Sequence, residues 1–431
     1  MSATVESPPP RGLASRLQRM RDSKLVRQNI VLFLGGFIAG VGGFVYHSIA
    51  GRTLGPRRYG EVAALIGLYT VGTITNLTLM LILARYAANL ESAGRPGAIR
   101  HIVARSSRLL ALPTVLFCLL SVALAGPVAA FENFDSPVPV IWLGIAIAAY
   151  CYTAIPRGVL QGMQRFSALS ANLSMEIVAR VAGLALLLAA GLAVTGSMVA
   201  MVIGVTFAYA IGMWSLRDLL TTERDPVRMR AMLSFGLTAA AGTLGIILLY
   251  NLDVVLAAHY LGKYDAGIYG SLNKIEVIIY YGTLSVSQVL FPRVVDAIAA
   301  RRHPARLLLL SGGLMTALGL CAVVFFGLTR GLVASVLFGP QFATAQPYVL
   351  VVGFIGLALS LDNLLVQFLM AVHDRVFIPI LAAAVVLLVA MIGLRHAGLE
   401  QIVVDVLITI TALLAVLVVR CLVLLPRLEA E

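Results

Sequence analysis

The chain has 431 residues and a formal net charge of +12; only 12% of its residues are charged, and 60% are hydrophobic. A soluble domain carries about 25% charged residues. A chain with a mean hydropathy of +0.95 cannot cover itself with polar surface, so its solvent must be lipid. The composition excludes a soluble globular protein.

Cysteine and histidine usage gives no sign of metal or disulfide chemistry. Cys118, Cys151, Cys321 and Cys421 lie in apolar runs without paired spacing, which is typical of free buried thiols. The six histidines are scattered and include no HExxH pair. We therefore expect neither a metal nor a cofactor.

Apolar runs long enough to cross a membrane recur along the chain after residue 28. About 20 apolar residues span about 30 Å of hydrocarbon, and lipid leaves the backbone no structure but the helix. Twelve runs have this length: 29–51, 60–84, 108–131, 138–156, 168–194, 197–216, 233–260, 266–290, 307–329, 346–370, 376–394 and 401–425. The sequence predicts an all-α, polytopic membrane protein with about 12 transmembrane helices.

The distribution of basic residues predicts the orientation. With a cytoplasmic N-terminus, 24 of the 32 lysines and arginines fall in inner segments and 6 in outer segments. We therefore expect a multi-pass protein of the plasma or inner membrane with both termini cytoplasmic. The positive charge then belongs to a surface facing inner-leaflet lipids, and we expect no nucleic-acid partner.

One phrase occurs twice in the chain and indicates an internal repeat. Residues 49–60 are IAGRTLGPRRYG and residues 256–267 are LAAHYLGKYDAG, so Gly55 corresponds to Gly262 and Gly60 to Gly267. Each copy holds six spans, and an even number returns the chain to its starting side. We therefore predict two parallel six-helix lobes related by a pseudo-twofold axis along the membrane normal.

The predicted organisation has four parts. A basic cytoplasmic tail (1–28) precedes an N-lobe of spans 1–6 (29–216). A basic cytoplasmic linker (217–232) leads to a C-lobe of spans 7–12 (233–431).

Four stretches carry a resemblance to a known family: TLGPRRYGEVAAL (53–65), RGVLQGMQRFSALSANLSMEIVARV (157–181), residues 251–274 with Asp253, and VLFPRV (289–294). Over residues 29–425 the chain resembles the polysaccharide-transport branch of the multidrug/oligosaccharidyl-lipid/polysaccharide flippase superfamily, which contains flippases of O-antigen and other lipid-linked oligosaccharides. Members often have fourteen spans, whereas twelve are predicted here. The resemblance implies two lobes in a V and a central cavity lined largely by spans 1, 2, 7 and 8. It also implies cationic cavity residues that hold a lipid pyrophosphate, and no use of ATP.

Span 8 carries two polar stripes on opposite faces. Side chains at helical spacing form one stripe of Lys274, Tyr281, Ser285 and Gln288 and another of Glu276, Tyr280, Thr283 and Ser287. A charge inside the bilayer is expensive and faces protein or water. We expect the Lys274 face to line the cavity, because a cation there can meet a phosphate. The alternative is that both stripes only bond neighbouring helices.

Further charged residues are candidates for structural or substrate contacts. Asp253 and Lys274 lie at similar depth, about 12 Å from the outer ends of consecutive spans, so they can form an ion pair. Such a pair is either a permanent neutralising bridge or one that substrate or a cation opens. Glu176 and Arg180, at i and i+4 on span 5, are expected to neutralise each other within the bundle.

Three arginines on the predicted outer side and three glycines on span 1 form two further groups. Arg52, Arg57 and Arg58 are outer-side arginines that either contact phosphate or glycan or are simply exposed. Small residues on span 1 are expected to form a seam for close helix contact; they are Gly36, Gly40 and Gly43.

These features predict a transporter without catalytic residues. We expect a flippase that moves a lipid-linked oligosaccharide, or a related polysaccharide precursor, from the inner to the outer leaflet by alternating access of the two lobes. Its expected partners are this substrate, membrane lipids and polysaccharide-assembly enzymes. One alternative is an ion-coupled drug antiporter of the same superfamily, which should carry an excess of cavity acids. The other is a membrane enzyme of glycan assembly, but the chain has no GxxxxGK[ST] phosphate loop.

Overall fold

The computed structural model of this chain describes residues 24–227, 242–299 and 305–430. Within these ranges the regular elements are helices, and no strand occurs. Most of the predicted basic tail, part of the predicted linker and the predicted start of the C-lobe at residue 233 lie outside the described residues.

The helices follow one another with short connections. In chain order they are α1 (Lys24–Gly72), α2 (Ile74–Ser92), α3 (Pro96–Phe131), α4 (Val138–Gly162), α5 (Phe166–Ala189), α6 (Ala193–Trp214), the short α7 (Arg217–Leu220), α8 (Leu252–Tyr260), α9 (Lys263–Ala299), α10 (Ala305–Leu328), α11 (Arg330–Phe338), a 3-10 helix (Pro340–Tyr348), α12 (Val349–Ala371), α13 (Phe377–Leu394) and α14 (Leu399–Ala430). Helix α8 is the second half of an apolar stretch that begins at Gly242.

Helix α1 folds back on itself at Gly55. This residue has φ +70°, a left-handed conformation that glycine adopts without a steric penalty. The imidazole Nδ1 of His47 lies 3.0 Å from the hydroxyl of Tyr59. Twelve residues of uninterrupted helix would separate these positions by about 18 Å along the axis. The contact therefore requires a reversal, and the first two predicted spans lie on either side of it.

The second copy of the repeat turns at the equivalent place. Helix α8 ends at Tyr260, Leu261 is extended with φ −90° and ψ 158°, and α9 begins at Lys263. The repeated Leu-Gly pair thus reverses the chain in both copies. We call the end of the molecule with these two turns the Gly55 end, and the opposite end, where most arginines lie, the basic end.

Within the residues that the structure describes, the helices account for twelve membrane crossings. Ten of the described helical stretches are long and apolar enough to cross a membrane. One of them, Leu34–Ser92, contains the reversal at Gly55 and so makes two crossings. Helix α9 has 37 residues and is long enough to cross a membrane as well, although its polar side chains lower its mean hydropathy. The protein is therefore an all-α, multi-pass membrane protein with two lobes.

Packing assigns the helices to lobes. In the first lobe α1 packs on α5, α2 on α4, and α5 on α6. In the second lobe α12 lies at the centre and packs on α9, α10 and α14. Helices α1 and α9 also pack on each other, and they join the two lobes.

Equivalent glycines of the repeat meet where α1 and α9 cross. A Cβ atom on Gly60 would lie 2.9 Å from the backbone nitrogen of Gly267, and one on Gly267 would lie 1.8 Å from the carbonyl oxygen of Pro56. Real Cβ atoms do not approach backbone this closely, so the crossing depends on the absence of side chains. Contact between equivalent residues is what a pseudo-twofold axis through this crossing requires.

The predicted glycine seam on span 1 is wrong. Cβ atoms built on Gly36, Gly40 and Gly43 would meet no other group within 4 Å, so these glycines face open space. The close contact is instead made by Gly35 against Ser170 and Gly42 against Ile177, both on α5. The glycine pattern predicted that span 1 has a surface without side chains, but it did not predict which side of the helix contacts a neighbouring helix.

The orientation can be tested with topology reporters. Because the positive residues concentrate at the basic end, reporters fused after residues 98 and 225 are expected in the cytoplasm, and reporters after residues 134 and 264 outside. The measurement is the activity of a reporter active only outside, compared with that of one active only in the cytoplasm. A reversal at any of the four positions would contradict the parallel arrangement of the lobes.

Candidate functional site

The first lobe contains a buried charge cluster of two arginines and one glutamate. Arg157 comes from α4, whereas Glu176 and Arg180 come from adjacent turns of α5. The two guanidinium groups contact opposite oxygens of the Glu176 carboxylate. The predicted pair of Glu176 and Arg180 is thus part of a triad, and the triad has one positive charge in excess.

The position of Arg157 corrects the orientation count. The sequence assigned this residue to an inner segment after a span ending at residue 156. In the structure α4 continues to Gly162, and the Arg157 side chain is only 3% exposed. The nearby carboxylate and hydrogen-bond acceptors of α5 allow this charge to be buried. Arg157 therefore belongs to the bundle interior and not to an inner segment. The excess of basic residues in the inner segments over the outer segments remains.

Polar and aromatic groups hold the triad. Arg157 donates from Nε to the side-chain oxygen of Asn172 at 2.7 Å and from Nη1 to the hydroxyl of Tyr150 at 3.4 Å. The guanidinium of Arg180 lies 5.9 Å from the ring centre of Tyr69. Among the described residues, neither the Nε of Arg180 nor the hydroxyl of Tyr69 has a hydrogen-bond partner. These groups retain the capacity to bind an anionic ligand.

The second lobe contains Asp253 and Lys274, but an asparagine lies between them. The Asp253 carboxylate accepts hydrogen bonds from the Tyr269 hydroxyl at 2.6 Å and from the Asn273 side-chain amide at 3.4 Å. The Lys274 ammonium donates to the oxygen of the same Asn273 amide at 3.0 Å. Asp253 and Lys274, both described, form no direct ion pair. An amide can donate to one charge and accept from the other, so one asparagine connects an acid and a cation that do not touch.

The face of α9 that carries Lys274 is more open than the opposite face. Tyr281, two turns beyond Lys274, is 53% exposed, and its hydroxyl lies 3.3 Å from that of Tyr250. Glu276 on the opposite face is buried, and a Cβ atom on Gly356 of α12 would lie 2.8 Å from its carbonyl oxygen. The opposite stripe therefore packs against protein. The side chains of the predicted residues Gln288 and Ser285 lie outside the described residues.

The two clusters approach each other at α1. Helix α1 packs on α5, which carries Arg180, and on α9, which carries Lys274. Tyr46 on α1 donates to the carbonyl of Ser197 at 2.7 Å and fixes α1 against α6. One cation from each lobe therefore lies on a helix that packs against α1.

The three outer-side arginines do not join this site. Arg52 donates to the carbonyl of Val336, and Arg57 and Arg58 lie exposed just after the turn at Gly55. Lys274 lies eleven residues beyond the first residue of α9, which corresponds to about 16 Å of helix. Arg52, Arg57 and Arg58 thus belong to the Gly55 end and not to the cluster around Lys274.

Sequence reasoning missed Arg157 and Asn273 as parts of the two clusters. The available signal was their position in the two stretches that carry the family resemblance, 157–181 and 251–274. Nothing in the described ranges suggests a metal centre, because they hold no convergent group of three or more histidine, cysteine, aspartate or glutamate side chains.

The fold is similar to that of solved transporters. The structure of an inward-facing multidrug resistance MATE family transporter of the MOP superfamily aligns with a TM-score of 0.75 at 12% identity, covering 93% of this chain and 99% of that one. An outward-facing structure of such a transporter gives a TM-score of 0.60 at 13% identity, with 94% and 96% covered. A MOP superfamily transporter from Pyrococcus furiosus gives 0.63 at 13% identity, again with 94% and 96% covered.

A comparison of sequences identifies the family. No curated protein matches the chain. The model of the family described as polysaccharide biosynthesis protein matches residues 25–298, which is more than half of the chain. The chain belongs to the polysaccharide biosynthesis protein family, and it is a multi-pass membrane protein.

Proposed function

We propose that the protein is a flippase that moves a lipid-linked oligosaccharide, or a related polysaccharide precursor, from the cytoplasmic to the outer leaflet. The observation that carries this proposal is a pair of cations from opposite lobes, Arg180 on α5 and Lys274 on α9, the two helices that both pack on α1. A lipid pyrophosphate carries more than one negative charge. Cations in a medium of low dielectric bind such a group by charge-assisted hydrogen bonds.

The glycan and the lipid tail of the proposed substrate would each have a suitable environment. Tyr281 presents an exposed ring on the Lys274 face of α9, and Tyr250 and Tyr280 lie beside it with ring centres 5.2 Å apart. Aromatic rings with hydroxyl groups suit the mixed apolar and polar surface of sugars. The lipid tail would remain in the bilayer, so that only the phosphate and glycan need a polar path across the hydrocarbon.

The transport cycle in this proposal is alternating access of the two lobes. We propose cytoplasmic termini, so that the Gly55 end is the outer end. Hydrogen bonds between the lobes lie at that end, for example from the Asn133 side chain to the carbonyl of His259 at 3.0 Å. A closed outer end supports an inward-open state, as does the greater similarity to the inward-facing transporter. Polysaccharide-assembly enzymes are proposed partners that would supply the substrate on the inner side.

A second candidate function is the export of cationic drugs coupled to an ion. It is favoured by buried acids in the second lobe without partners among the described residues: both carboxylate oxygens of Asp362 and one of Asp253. Acidic groups of this kind can bind a proton or a cationic substrate. The excess positive charge of the triad in the first lobe favours an anionic substrate instead.

The test is a leaflet-access assay in proteoliposomes. The probe is a short-chain polyprenyl-pyrophosphate oligosaccharide with a fluorescent sugar, which an added membrane-impermeant glycosidase can reach only in the outer leaflet. We expect protein-dependent exposure of the probe beyond the fraction cleaved in empty liposomes. Uptake of a lipid-free cationic drug without any movement of the oligosaccharide would contradict the proposal and select the second candidate.

A further inference from the structure

The two lobes are held together at the Gly55 end by a seam. In it, the end of α3 and the α3–α4 connection contact the end of α8 and the start of α9. The His259 ring stacks on Phe131 with ring centres 3.8 Å apart. The Lys263 ammonium lies 3.3 Å from a carboxylate oxygen of Glu61 and also contacts Asp135. These contacts join the lobes only while the Gly55 end is closed.

A small pocket lies within this seam. Its lining includes Glu61 and Glu132 from the first lobe and Ala258, Lys263 and Ala266 from the second. The pocket has a volume of about 10 Å³, which is about the space that one water molecule needs. A pocket lined by both lobes exists only in the closed arrangement, so a ligand of the pocket is linked to closure.

Glu132 is the unusual residue of this pocket. It is only 3% exposed, and its Oε2 atom has no hydrogen-bond partner in the described part of the chain. Glu61 is also buried, but its carboxylate accepts from the backbone nitrogen of Asp135 at 3.2 Å and from Lys263. The positive charge of Lys263 is therefore shared by Glu61 and Asp135. A buried carboxylate without such a partner is unfavourable in its ionised form.

We propose that Glu132 is a proton-binding site at the lobe seam, whose carboxyl group carries a proton while the Gly55 end is closed. When this end opens, Glu132 meets water, and its O–H bond breaks to release the proton to solvent and leave a carboxylate. The ligand of the pocket is thus a proton, and its binding favours the closed Gly55 end. This inference rests on the alternating access proposed above.

The direction of the pH effect follows from burial. Burial raises the pKa of Glu132 from an ordinary value of 4.5 to about 8 in the closed state. Below about pH 4.5 both states are protonated, and closure is unaffected. Between about 4.5 and 8, each pH unit raises the ratio of open to closed molecules by up to about tenfold. Above pH 8 both states are ionised and the ratio is constant.

Other charged groups face the same seam. On α1 they are Arg57 and Glu61, on the α3–α4 connection Asp135, and on the second lobe His259 and Lys263. The contact with Lys263 holds the pKa of Asp135 below its ordinary range, so Asp135 stays ionised through the window. The imidazole of His259 also contacts the carbonyl oxygen of Phe131 in the seam, so His259 needs its own variant.

The experiment measures opening of the Gly55 end as a function of pH. Spin labels are attached through Thr53→Cys and Asp265→Cys, two exposed positions on opposite lobes, after the four native cysteines are replaced by alanine. Distances are recorded in lipid between pH 5 and 9. We expect the open fraction to rise steeply with pH up to about 8. Glu132→Gln, which mimics the protonated carboxyl, should remove this slope and keep the end closed at pH 8.

Three further variants separate the contributions of individual side chains to the pH dependence of opening. Glu400→Gln, an exposed carboxyl at the same end, makes the same chemical change outside the seam and should leave the slope unchanged. His259→Gln, which removes the imidazole but keeps the Glu132 carboxyl, should keep the slope. Glu132→Ala, which removes the carboxyl altogether, should also abolish the slope if the Gln variant fails to fold. A wild-type slope in both Glu132 variants would overturn the inference.

An infrared measurement distinguishes this inference from the proposed function. The difference spectrum between pH 6 and pH 9 should contain a protonated-carboxyl band that Glu132→Gln lacks. If this band is present but the spin-label distance never changes, the proton site stands and alternating access fails. If the distance changes with pH but the band is the same in wild type and variant, Glu132 is not the proton site.

Discussion

Replacing Lys274 by glutamine is expected to reduce transport by about ten- to hundredfold and to leave the protein at normal abundance in the membrane. Lys274 is 8% exposed and lies on the open face of α9. A hydrogen bond to a charged group contributes about 1.5–3 kcal/mol, which is the interaction that the pyrophosphate would lose. Glutamine keeps much of the length and a donor for the oxygen of Asn273. The measurement is the initial rate of probe exposure in proteoliposomes.

Two companion variants interpret this result. Lys274→Arg keeps the charge with an altered geometry and should retain part of the transport. Arg330→Gln removes one positive charge from an exposed position at the Gly55 end and should transport at the wild-type rate. If Lys274→Gln is abundant and fully active, Lys274 only packs. The phosphate site would then have to be sought at Arg180 or among Arg52, Arg57 and Arg58.

Replacing Gly267 by alanine is expected to prevent closure of the Gly55 end. The added Cβ atom would lie 1.8 Å from the carbonyl oxygen of Pro56, which is backbone and cannot rotate away. Overpacking typically costs about 1–3 kcal/mol, so the ratio of closed to open molecules should fall by about five- to 150-fold. Transport should fall with it, because the cycle must return through the closed state. Spin-label distances across the seam should lengthen at pH 6.

A matched glycine on the same helix provides the control. Gly282 of α9 has no atom within 4 Å of an added Cβ, so Gly282→Ala should leave both closure and transport unchanged. It also tests whether alanine in α9 alters transport through helix stability alone, because both replacements raise helix propensity. Equal seam distances in Gly267→Ala and Gly282→Ala would show that the α1–α9 crossing does not control closure.

Much of the fold could be predicted because lipid restricts what the backbone can do. The twelve crossings and the reversals at the repeated Leu-Gly pairs follow from apolar run lengths and from the repeat. The repeat also paired Gly60 with Gly267. It could not show that the two glycines touch, because equivalence in sequence says nothing about distance from the symmetry axis.

The candidate site was less predictable. Arg157 follows Pro156 at the end of an apolar run, so it looked like an arginine at the membrane surface. Asp253 and Lys274 both contact the Asn273 side chain, which separates them. The sequence did not single out Glu132, because one glutamate after a long apolar helix is typical of an ordinary loop.

The membrane class, the helical architecture, the two-copy organisation and the family resemblance all follow from the sequence. These depend on average hydropathy, run length and repetition, which survive changes in individual contacts. Only the tertiary structure decided which charges share a partner: Arg157 with Glu176, and Lys274 with Asn273. It also decided that Glu132 is buried at the seam. The physical reason is that side-chain contacts depend on the rotation and crossing of packed helices, whereas hydropathy records only which segments leave water.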